Sequence, residues 1–458
     1  MKIIILGAGQ VGGSTAESLV NEGNDVTVVD TDSYLLERIQ DRLDIRAVNG
    51  HASSPETLIA AGIEDADMLI AVTQNDEVNM VACQVANALF KTPKKLARIR
   101  ASDYVEYPAL FSPDAFATDV IISPEQLVTA YIQRLIEQPE VLQVVEFFDG
   151  MAQLVAVEVS EQSPMAGKPI SKLLDILPDI KMRVAAIFRD NQAIQATGRE
   201  ALQPGDEIFF LALTQHISKL VKVFRHAYKT YERILIAGGG NIGRQLAKRI
   251  ETNHKVKIIE MDPKRARFIA EGLKKSVVLY GDAGDANLLQ EENISKTDVF
   301  CAVTNDDEVN ILSSMLAKRM GARKVISIIG KASHVELVRG TSIDLAISPA
   351  QITIGSLLTH IRKGDVVTVH SLRHGAAEAI EVIAHGDLTT SKVVGRHIEQ
   401  IKLPASASVA AILRNEHVLF SDKSLVIEPD DHLIIFISNQ RDIMAVEKLF
   451  QVDFNYLM

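Results

Sequence analysis

The sequence of 458 residues contains no tryptophan, 5% aromatic residues and only two cysteines. Cys83 and Cys301 are too few for a disulfide framework or a cysteine-ligated metal site. No apolar run reaches the ~18 residues that a membrane-spanning helix needs, and the apolar start lacks the basic segment of a signal peptide. A net charge of −11 argues against nucleic acid as the main partner. We therefore expect a cytoplasmic chain of roughly two to four domains.

The chain contains a long internal repeat. The segment ILGAGQVG at Ile5 matches IAGGGNIG at Ile236, and AVTQNDEVN at Ala71 matches AVTNDDEVN at Ala302, both at an offset of 231 residues. After two short deletions the offset becomes 225, where ISPEQ matches ISPAQ, VAAIFRD matches VAAILRN, and PGDEIFFL matches PDDHLIIF. This many matches in one order indicate a tandem duplication with about 225 residues in each half.

Each half is predicted to hold an α/β part followed by a small α+β part. In the first part of the first half, helical stretches alternate with six strands, predicted at Ile3–Leu6, Val26–Val29, Arg46–Val48, Met68–Val72, Leu96–Ile99 and Val120–Ile122. The second part begins near Leu142 and contains strands at Gln153–Val159 and Glu207–Leu211. The junction between the halves is predicted at Tyr228–Arg233.

A glycine fingerprint follows the first strand of each half and is typical of a Rossmann-like dinucleotide site. In the first half the three glycines permit a tight turn, approach of the backbone to a pyrophosphate, and close packing of helix on strand. Asp30 lies 23 residues after Gly7 and suits the adenosine ribose. Its carboxylate repels a 2′-phosphate, so NAD is favoured over NADP. Glu260, 22 residues after Gly238, is the counterpart.

Thr73 and Gln74 follow the fourth strand, at the sheet edge where ligands of such folds bind. We interpret them as contacts to the distal half of the ligand. The TQNDE segment also fits the start of a capped helix, which is the alternative.

Arg98 and Arg100 lie on or just after the fifth strand and point to one side because they are two residues apart. An arginine pair at this edge suits phosphates, although a surface salt bridge would equally explain it. The second half is expected to have Ser327 and Ile329 there, so the two sites should differ in affinity for anions.

The candidate nucleotide-binding residues form two sets, and neither catalytic residues nor metal ligands are expected. The first set is Gly7, Ala8, Gly9, Gln10, Val11, Gly12, Asp30, His51, Thr73, Gln74, Arg98 and Arg100. The second set is Gly238, Gly239, Gly240, Asn241, Ile242, Gly243, Glu260, Asp282, Thr304 and Asn305.

Two classes of function are compatible with such sites. An NAD-dependent oxidoreductase needs a substrate domain and a proton-transfer group beside the nicotinamide. The small parts leave little room for a catalytic domain, and His216, His226, His254 and His360 have no counterparts across the repeat. Duplicated binding domains without a repeated catalytic set favour a nucleotide sensor.

The glycine loops, the two AVT-x-x-DEVN segments, the two ISP-x-Q sites and the PGDEIFF and PDDHLIIF segments resemble the TrkA family over the whole chain. These are cytosolic regulatory subunits of bacterial Trk potassium uptake systems, with two RCK (regulator of potassium conductance) units. The resemblance implies RCK N-terminal domains at 1–123 and 231–348, and RCK C-terminal (TrkA-C) domains at 140–226 and 365–452.

The resemblance also implies NAD(H) and possible ATP or ADP as ligands, and a membrane potassium channel subunit as partner. The chain would act peripherally on the cytoplasmic face of the inner membrane. A sensor for a different cation transporter stays open. In some relatives an arginine of the glycine loop meets a nucleotide phosphate, and here Gln10 and Asn241 occupy those places.

Each ISP segment is predicted to start a linking helix. Ser123 would cap the first, with Pro124 in the first turn and Gln126 completing a capping box, and Ser348 would repeat that start. On the first helix Leu127, Tyr131 and Leu135 line one apolar face, with Val128 and Ile132 beside them. On the second, Ile354, Leu357, Leu358 and Ile361 do the same. Such a stripe must be covered, either by the chain's own sheet or by a neighbouring unit. In RCK families this helix crosses to a neighbour in rings of eight units, which implies a homotetramer here.

Overall fold

The computed structural model describes residues 1–450 except 22, 140, 190–191, 195–197, 199, 225–229, 339, 362–365, 373–376 and 423. The predicted domain limits at 140, 226, 365 and 452, and the start of the predicted junction at Tyr228, lie outside the described residues.

The first half opens with a six-stranded parallel sheet in the order β3-β2-β1-β4-β5-β6. Apolar residues fill its inner strands because helices cover both faces of such a sheet. The strands are β1 (Lys2–Leu6), β2 (Asp25–Asp30), β3 (Arg46–Asn49), β4 (Met68–Ala71), β5 (Lys94–Arg98) and β6 (Val120–Ile122). The helices are α1 (Gln10–Asn21), α2 (Ser33–Gln40), α3 (Pro55–Ala60), α4 (Asp76–Val85), α5 (Ser102–Val105) and α6 (Pro124–Glu137).

A small domain with an antiparallel sheet follows. Its strands are β7 (Gln143–Phe147), β8 (Ala152–Glu158), β9 (Met182–Arg189), β10 (Gln192–Ile194) and β11 (Glu207–Leu213), in the order β10-β9-β11-β8-β7. Two helices, α7 (Lys172–Ile176) and α8 (Thr214–Phe224), complete it among the described residues.

The second half repeats this plan, with a parallel sheet in the order β14-β13-β12-β15-β16-β17. Its strands are β12 (Arg233–Ala237), β13 (Lys255–Glu260), β14 (Val277–Tyr280), β15 (Val299–Ala302), β16 (Lys324–Ile328) and β17 (Leu345–Ile347). Its helices are α9 (Asn241–Ile250), α10 (Pro263–Gly272), α11 (Ala286–Glu291), α12 (Asp307–Arg319), α13 (Ala332–Val338) and α14 (Pro349–Ile361).

The second small domain also has an antiparallel sheet, in the order β18-β19-β22-β20-β21. Its strands are β18 (Val366–Leu372), β19 (Ala377–Ala384), β20 (Ala407–Arg414), β21 (His417–Phe420) and β22 (Asp431–Ile437), and α15 (Ile443–Phe450) follows. The predicted fold class, with two Rossmann-like domains and two small α+β domains, is confirmed. Strand ends differ by one or two residues, as where β5 begins at Lys94 rather than Leu96.

The four domains group into two compact units. One contains both Rossmann-like domains, Met1–Ala130 and Arg233–His360, and the other contains Tyr131–Glu232 and the chain from Ile361. Within the second unit the two small sheets share one apolar core, to which Phe147 and Phe209 contribute from one sheet and Leu372 and Phe436 from the other. Among the described residues, no helix is both long and apolar enough to cross a bilayer.

The linking helices α6 and α14 begin at Pro124 and Pro349, as predicted. The Ser123 cap is wrong, because its hydroxyl is buried without a hydrogen-bond partner among the described residues. All five residues of the predicted apolar set on α6 are at least half-buried, but its centre is shifted: Val128, Ile132 and Leu135 are fully buried, whereas Leu127 and Tyr131 are half-buried. Leu135 is thus covered within a single chain and is unavailable to a neighbouring chain.

A buried ion pair explains the repeated segments of the small domains. Asp206 of PGDEIFFL is fully buried and accepts Nε and Nη2 of Arg189, both at 2.8 Å. Its Oδ2 also accepts the Gln203 amide at 2.7 Å. In the second half Asp431 accepts Nε and Nη2 of Arg414 at 2.8 and 2.6 Å. The arginine of VAAIFRD and the aspartate of PGDEIFFL therefore recur because Asp206 and Asp431, both fully buried, depend on the arginine to compensate their charge.

We expect Asp206→Asn to lower the free energy of unfolding by about 1–3 kcal/mol, because the fully buried side chain loses its charged hydrogen bonds with Arg189. Burial raises the pKa of Asp206, but the bonds from Arg189 and the Gln203 amide outweigh it and bring that pKa below its ordinary value. A depressed pKa means that the stabilisation is present at neutral pH and is lost as the pH falls through the folded-state value. Urea unfolding at neutral and acidic pH measures both effects.

The exposed Lys172–Asp175 pair on α7 provides the control, at 2.9 Å. Asp175→Asn should change the unfolding free energy by less than about 1 kcal/mol. Equal losses in both variants would contradict a special role for the buried pair.

Candidate functional site

The first glycine loop has the sterics of a phosphate cradle. Gly7 has a φ of +110°, which disfavours any side chain there. A Cβ on Gly12 would lie 1.8 Å from the Gly7 carbonyl oxygen, so α1 packs this closely on β1 only with glycine. A Cβ on Gly9 would meet no atom within 4 Å, which leaves the loop backbone open on one side.

Asp30 and Glu260, the carboxylates predicted to bind the adenosine ribose, accept hydrogen bonds from the backbone of the glycine loops. Asp30 Oδ2 accepts the Ala8 amide at 2.6 Å, and its Oδ1 accepts the Asp32 amide at 2.9 Å. Glu260 makes the equivalent bonds to the amides of Gly239 and Asp262, both at 2.9 Å. Each carboxylate therefore ties the end of the second strand to the turn after the first.

A buried asparagine, which sequence reasoning missed, joins the ends of β4 and β5. Asn79 is fully buried; its Oδ1 accepts the Thr73 amide and hydroxyl at 3.0 and 2.6 Å. Its Nδ2 donates to the carbonyls of Thr73 and Arg98 at 3.2 and 2.9 Å. The final Asn of both AVT-x-x-DEVN segments was the signal, since Asn310 makes the same four bonds in the second half.

The alternative that TQNDE starts a capped helix is correct for Asn75. This residue is the N-cap of α4, and its side chain accepts the Val78 amide. The Thr73 hydroxyl is committed to Asn79, so its side chain serves the loop. The adjacent Asp76 accepts the amides of Arg100 and Ala101, both at 2.8 Å, and fixes the turn after β5.

The expected counterparts Ser327 and Ile329 are wrong by one residue. Asn310 bonds the carbonyl of Ile328, as Asn79 bonds that of Arg98. Asp307 accepts the Gly330 amide, as Asp76 accepts that of Arg100. Ile328 and Gly330 are therefore the true counterparts, at an offset of 230 residues: one residue is deleted between Asn310 and β16, where the expected counterparts, at an offset of 229, implied two.

The two arginines of the first half serve different partners. Arg98 Nη2 donates to the Thr73 carbonyl at 2.8 Å, while its buried Nε has no partner among the described residues. Burial, and then the neighbouring Arg100, lower the pKa of Arg98, which nonetheless stays charged. Arg100 Nε binds Glu125 Oε1 at 2.8 Å. Glu125, at the start of α6, was missed by sequence reasoning.

A cavity of about 890 Å³ within the first unit brings the two glycine loops to one space. Most predicted residues of the first half line it: Gly7, Gly9, Gln10, Val11, Asp30, His51, Thr73, Gln74, Arg98 and Arg100. From the second half Gly240, Asn241, Ile242, Thr304 and Asn305 line it. Seven predicted residues do not: Ala8, Gly12, Gly238, Gly239, Gly243, Glu260 and Asp282.

The reasons differ among the seven. Most are the parts of the loops that pack on the sheet, as the close approach at Gly12 shows. Asp282, the counterpart of His51, instead accepts the Gly284 amide at 2.8 Å within its own loop.

The lining fits a dinucleotide. The open side of Gly9 and the start of α1 face the cavity, and a helix N-terminus offers free amides and a positive dipole end to phosphates. The unpartnered Nε of Arg98 marks a place where an acceptor would relieve a buried donor. No cluster of three or more potential metal ligands is present among the residues that the structure describes.

The two loop glycines should respond differently to alanine. We expect Gly12→Ala to destabilise the chain by about 3 kcal/mol or more, because its methyl group must displace backbone. Gly9→Ala, whose methyl group enters open space, should stay within about 1 kcal/mol of the parent. Urea unfolding of both variants tests this, and similar stabilities would show that the loop can shift to accommodate Gly12→Ala.

Comparison with known proteins places these features in a family. The TrkA-N domain matches residues 3–124 and 234–349, and the TrkA-C domain matches 154–225 and 388–451. The chain is 53% identical to the Trk system potassium uptake protein TrkA of Halomonas elongata, over all of both chains. It is 52% identical to that of Vibrio alginolyticus, over 98% of this chain and 99% of the relative.

Solved structures show the same fold. The GsuK RCK domain matches with a TM-score of 0.62 at 15% identity, covering 98% of this chain and 94% of that one. The GsuK channel bound to NAD matches with a TM-score of 0.62 at 16% identity, covering 98% and 78%. The identity to full-length relatives and the twofold TrkA-N and TrkA-C pattern show that this chain belongs to the TrkA family of Trk-system potassium uptake proteins.

Proposed function

We propose that the chain is the nucleotide-sensing regulatory subunit of a Trk-type potassium uptake system. It binds NAD(H), with ATP and ADP as further ligands, and controls a separate membrane channel subunit from the cytoplasmic face of the inner membrane. The observation that carries this proposal is that residues of both glycine loops line one cavity. The names of the relatives and the NAD bound to the GsuK channel support it.

In the first half, Gly9, Gln10 and Val11 would receive the pyrophosphate at the start of α1. Asp30 would accept the hydroxyls of the adenosine ribose. The distal half of the ligand would then reach toward Thr73 and Arg98, at the end of β4 and β5. Every one of these residues lines the same cavity.

The linking helices α6 and α14 contribute to the cavity wall and lead, along the chain, into the small domains. Pro124 and Glu125 of α6, and Ala350 and Thr353 of α14, form part of its wall. At the other end of α14, Lys94 Nζ donates to the carbonyl of His360. Strand β5 thus carries Arg98 at the cavity and Lys94 at the end of α14. A ligand that moves β5 or α6 would bias the position of the small domains that follow these helices.

We further infer a homotetramer, because four chains with two RCK units each would complete the ring of eight units that is usual in RCK families. Light scattering of the full chain tests this assembly, and a monomer with and without NADH would contradict it. The ring would transmit nucleotide-dependent movement to the membrane partner.

Calorimetric titration of the full chain with NADH tests the first site. We expect Asp30→Ala to cost about 1–3 kcal/mol of binding free energy, because a charged hydrogen bond is lost. Gly9→Val should block binding, since its side chain enters the space that the phosphates need. Glu260→Ala is the matched control and should leave the first-site isotherm in place. Unchanged affinity in folded Gly9→Val would refute this site.

The two sites should differ in their response to phosphate charge. Arg98, Arg100 and Glu125 of the first half correspond to Ile328, Gly330 and Ala350 of the second. We expect Arg98→Ala to weaken ATP binding at the first site by about tenfold or more, the usual weight of a charged hydrogen bond. The control Ile328→Ala should leave it unaffected. Titration of Asp30→Ala and Glu260→Ala proteins with ATP separates the sites, and equal affinities would contradict the inequality.

A further inference from the structure

Two neighbouring helices of the second Rossmann-like domain form one outer surface. Helix α9 connects β12 to β13, and α10 connects β13 to β14, which are adjacent parallel strands. Both crossovers advance in one direction with the same hand, so both helices cover the same face of the sheet. The Arg244 guanidinium of α9 lies 5.4 Å from the ring centre of Phe268 of α10, which confirms their contact.

This surface is strongly basic. Helices α9 and α10 contain six Lys and Arg residues and a single acidic residue, Glu271. Their counterparts α1 and α2 contain one cation, Arg38, and two acids, Glu17 and Glu37. The contrast extends to the domains, since residues 1–123 contain 9 Lys and Arg against 18 Asp and Glu, and residues 231–348 contain 18 against 15.

The difference in charge between the two halves also holds at individual aligned positions. The glycine loops align α1 with α9, and the capping residues Asp32 and Asp262 align α2 with α10. On this alignment the pairs are Gly13 and Arg244, Glu17 and Lys248, Tyr34 and Lys264, and Glu37 and Arg267. Every one of these four cations replaces a neutral or acidic residue, so the charge belongs to the second half alone.

We define the basic face as Arg244, Lys248, Lys264 and Arg267 around Phe268. Three of the four cations are exposed and Arg244 is half-buried. None forms an ion pair with an acidic side chain in the part of the chain that the structure describes. Phe268 is 61% exposed, and Met261, just before α10, is 70% exposed. Arg265 is left out because it lines the cavity.

We propose that the basic face binds the surface of an anionic phospholipid bilayer. Its chemistry matches both layers of that surface: the four cations match phosphate headgroups, and Phe268 can insert at the level of the acyl boundary. The overall charge of −11 does not oppose this. At physiological salt the Debye length is about 8 Å, so distant acidic surfaces are screened and the local face decides.

An acidic protein is the competing occupant, and the apolar side chains argue against it. A cationic surface that pairs with carboxylates gains from fixed hydrogen-bond geometry, whereas here Arg244 lies against an exposed aromatic ring and the other three cations are exposed. The proposal does not depend on nucleotide binding, because the basic face excludes the residues that line the cavity.

Vesicle co-sedimentation of the full chain tests the proposal. We expect binding to vesicles of phosphatidylcholine with one third phosphatidylglycerol, no binding to phosphatidylcholine alone, and loss of binding at high salt. The variant Arg244→Gln, Lys248→Gln, Lys264→Gln, Arg267→Gln should reduce the partition coefficient at least about tenfold, since each cation near such a surface contributes. Phe268→Ser should weaken binding and make the remainder more salt-sensitive.

The matched control carries Glu17→Gln, Glu37→Gln, Arg38→Gln and Arg42→Gln on the first half and should bind vesicles as the parent does. Circular dichroism and NADH titration confirm that every variant is folded. The proposal is overturned if the parent ignores anionic vesicles, if it binds both vesicle types equally, or if the basic-face variant binds like the parent. A change of oligomeric state in that variant, without vesicle binding by the parent, would assign the face to a second copy of the chain.

Discussion

A single buried amide at the carboxyl edge of each parallel sheet holds the candidate site in shape. At that edge β4 and β5 separate and leave backbone groups that no neighbouring strand can satisfy. The Asn79 side chain supplies one acceptor and one donor group, and its four hydrogen bonds close the gap. An amide matches these four groups, because its oxygen can accept two hydrogen bonds and its NH₂ group can donate two. Without it, buried polar groups at the end of both strands would lose their partners, and the wall of the cavity would lose its shape.

Much of the fold was predictable because its signals are local. Apolar strands, the glycine loop and the acid after β2 follow from chain geometry, and the repeat let each half check the other. The Asn79 network was not predicted, because its value depends on two strand ends that are far apart in sequence. The ion pair Arg189–Asp206 was likewise visible only as recurring letters, since pairing is a property of the folded sheet.

The errors have physical causes as well. The buried line on α6 is centred on Val128 and Ile132 rather than on Leu127 and Tyr131, because helical periodicity locates an apolar face but not what it packs on. The counterpart of Arg98 was misplaced by one residue because sequence alone does not fix the length of a short deletion, whereas the hydrogen bonds of Asn79 and Asn310 do. The sharing of one cavity by both loops had no sequence signal, since it arises from the packing of two domains that are each complete without it.

The tandem arrangement of the halves has a consequence for what such a chain can report. In a symmetric dimer both sites must carry the same residues, so no substitution can distinguish them. Fusion removes that restriction. One site here has kept Arg98, Arg100 and Glu125, while the other has Ile328, Gly330 and Ala350 at the same wall. If both sites bind nucleotides as proposed, two unequal sites on one cavity would let a single chain respond to the ratio of two ligands, and a ratio stays informative when the total amount of both rises and falls together.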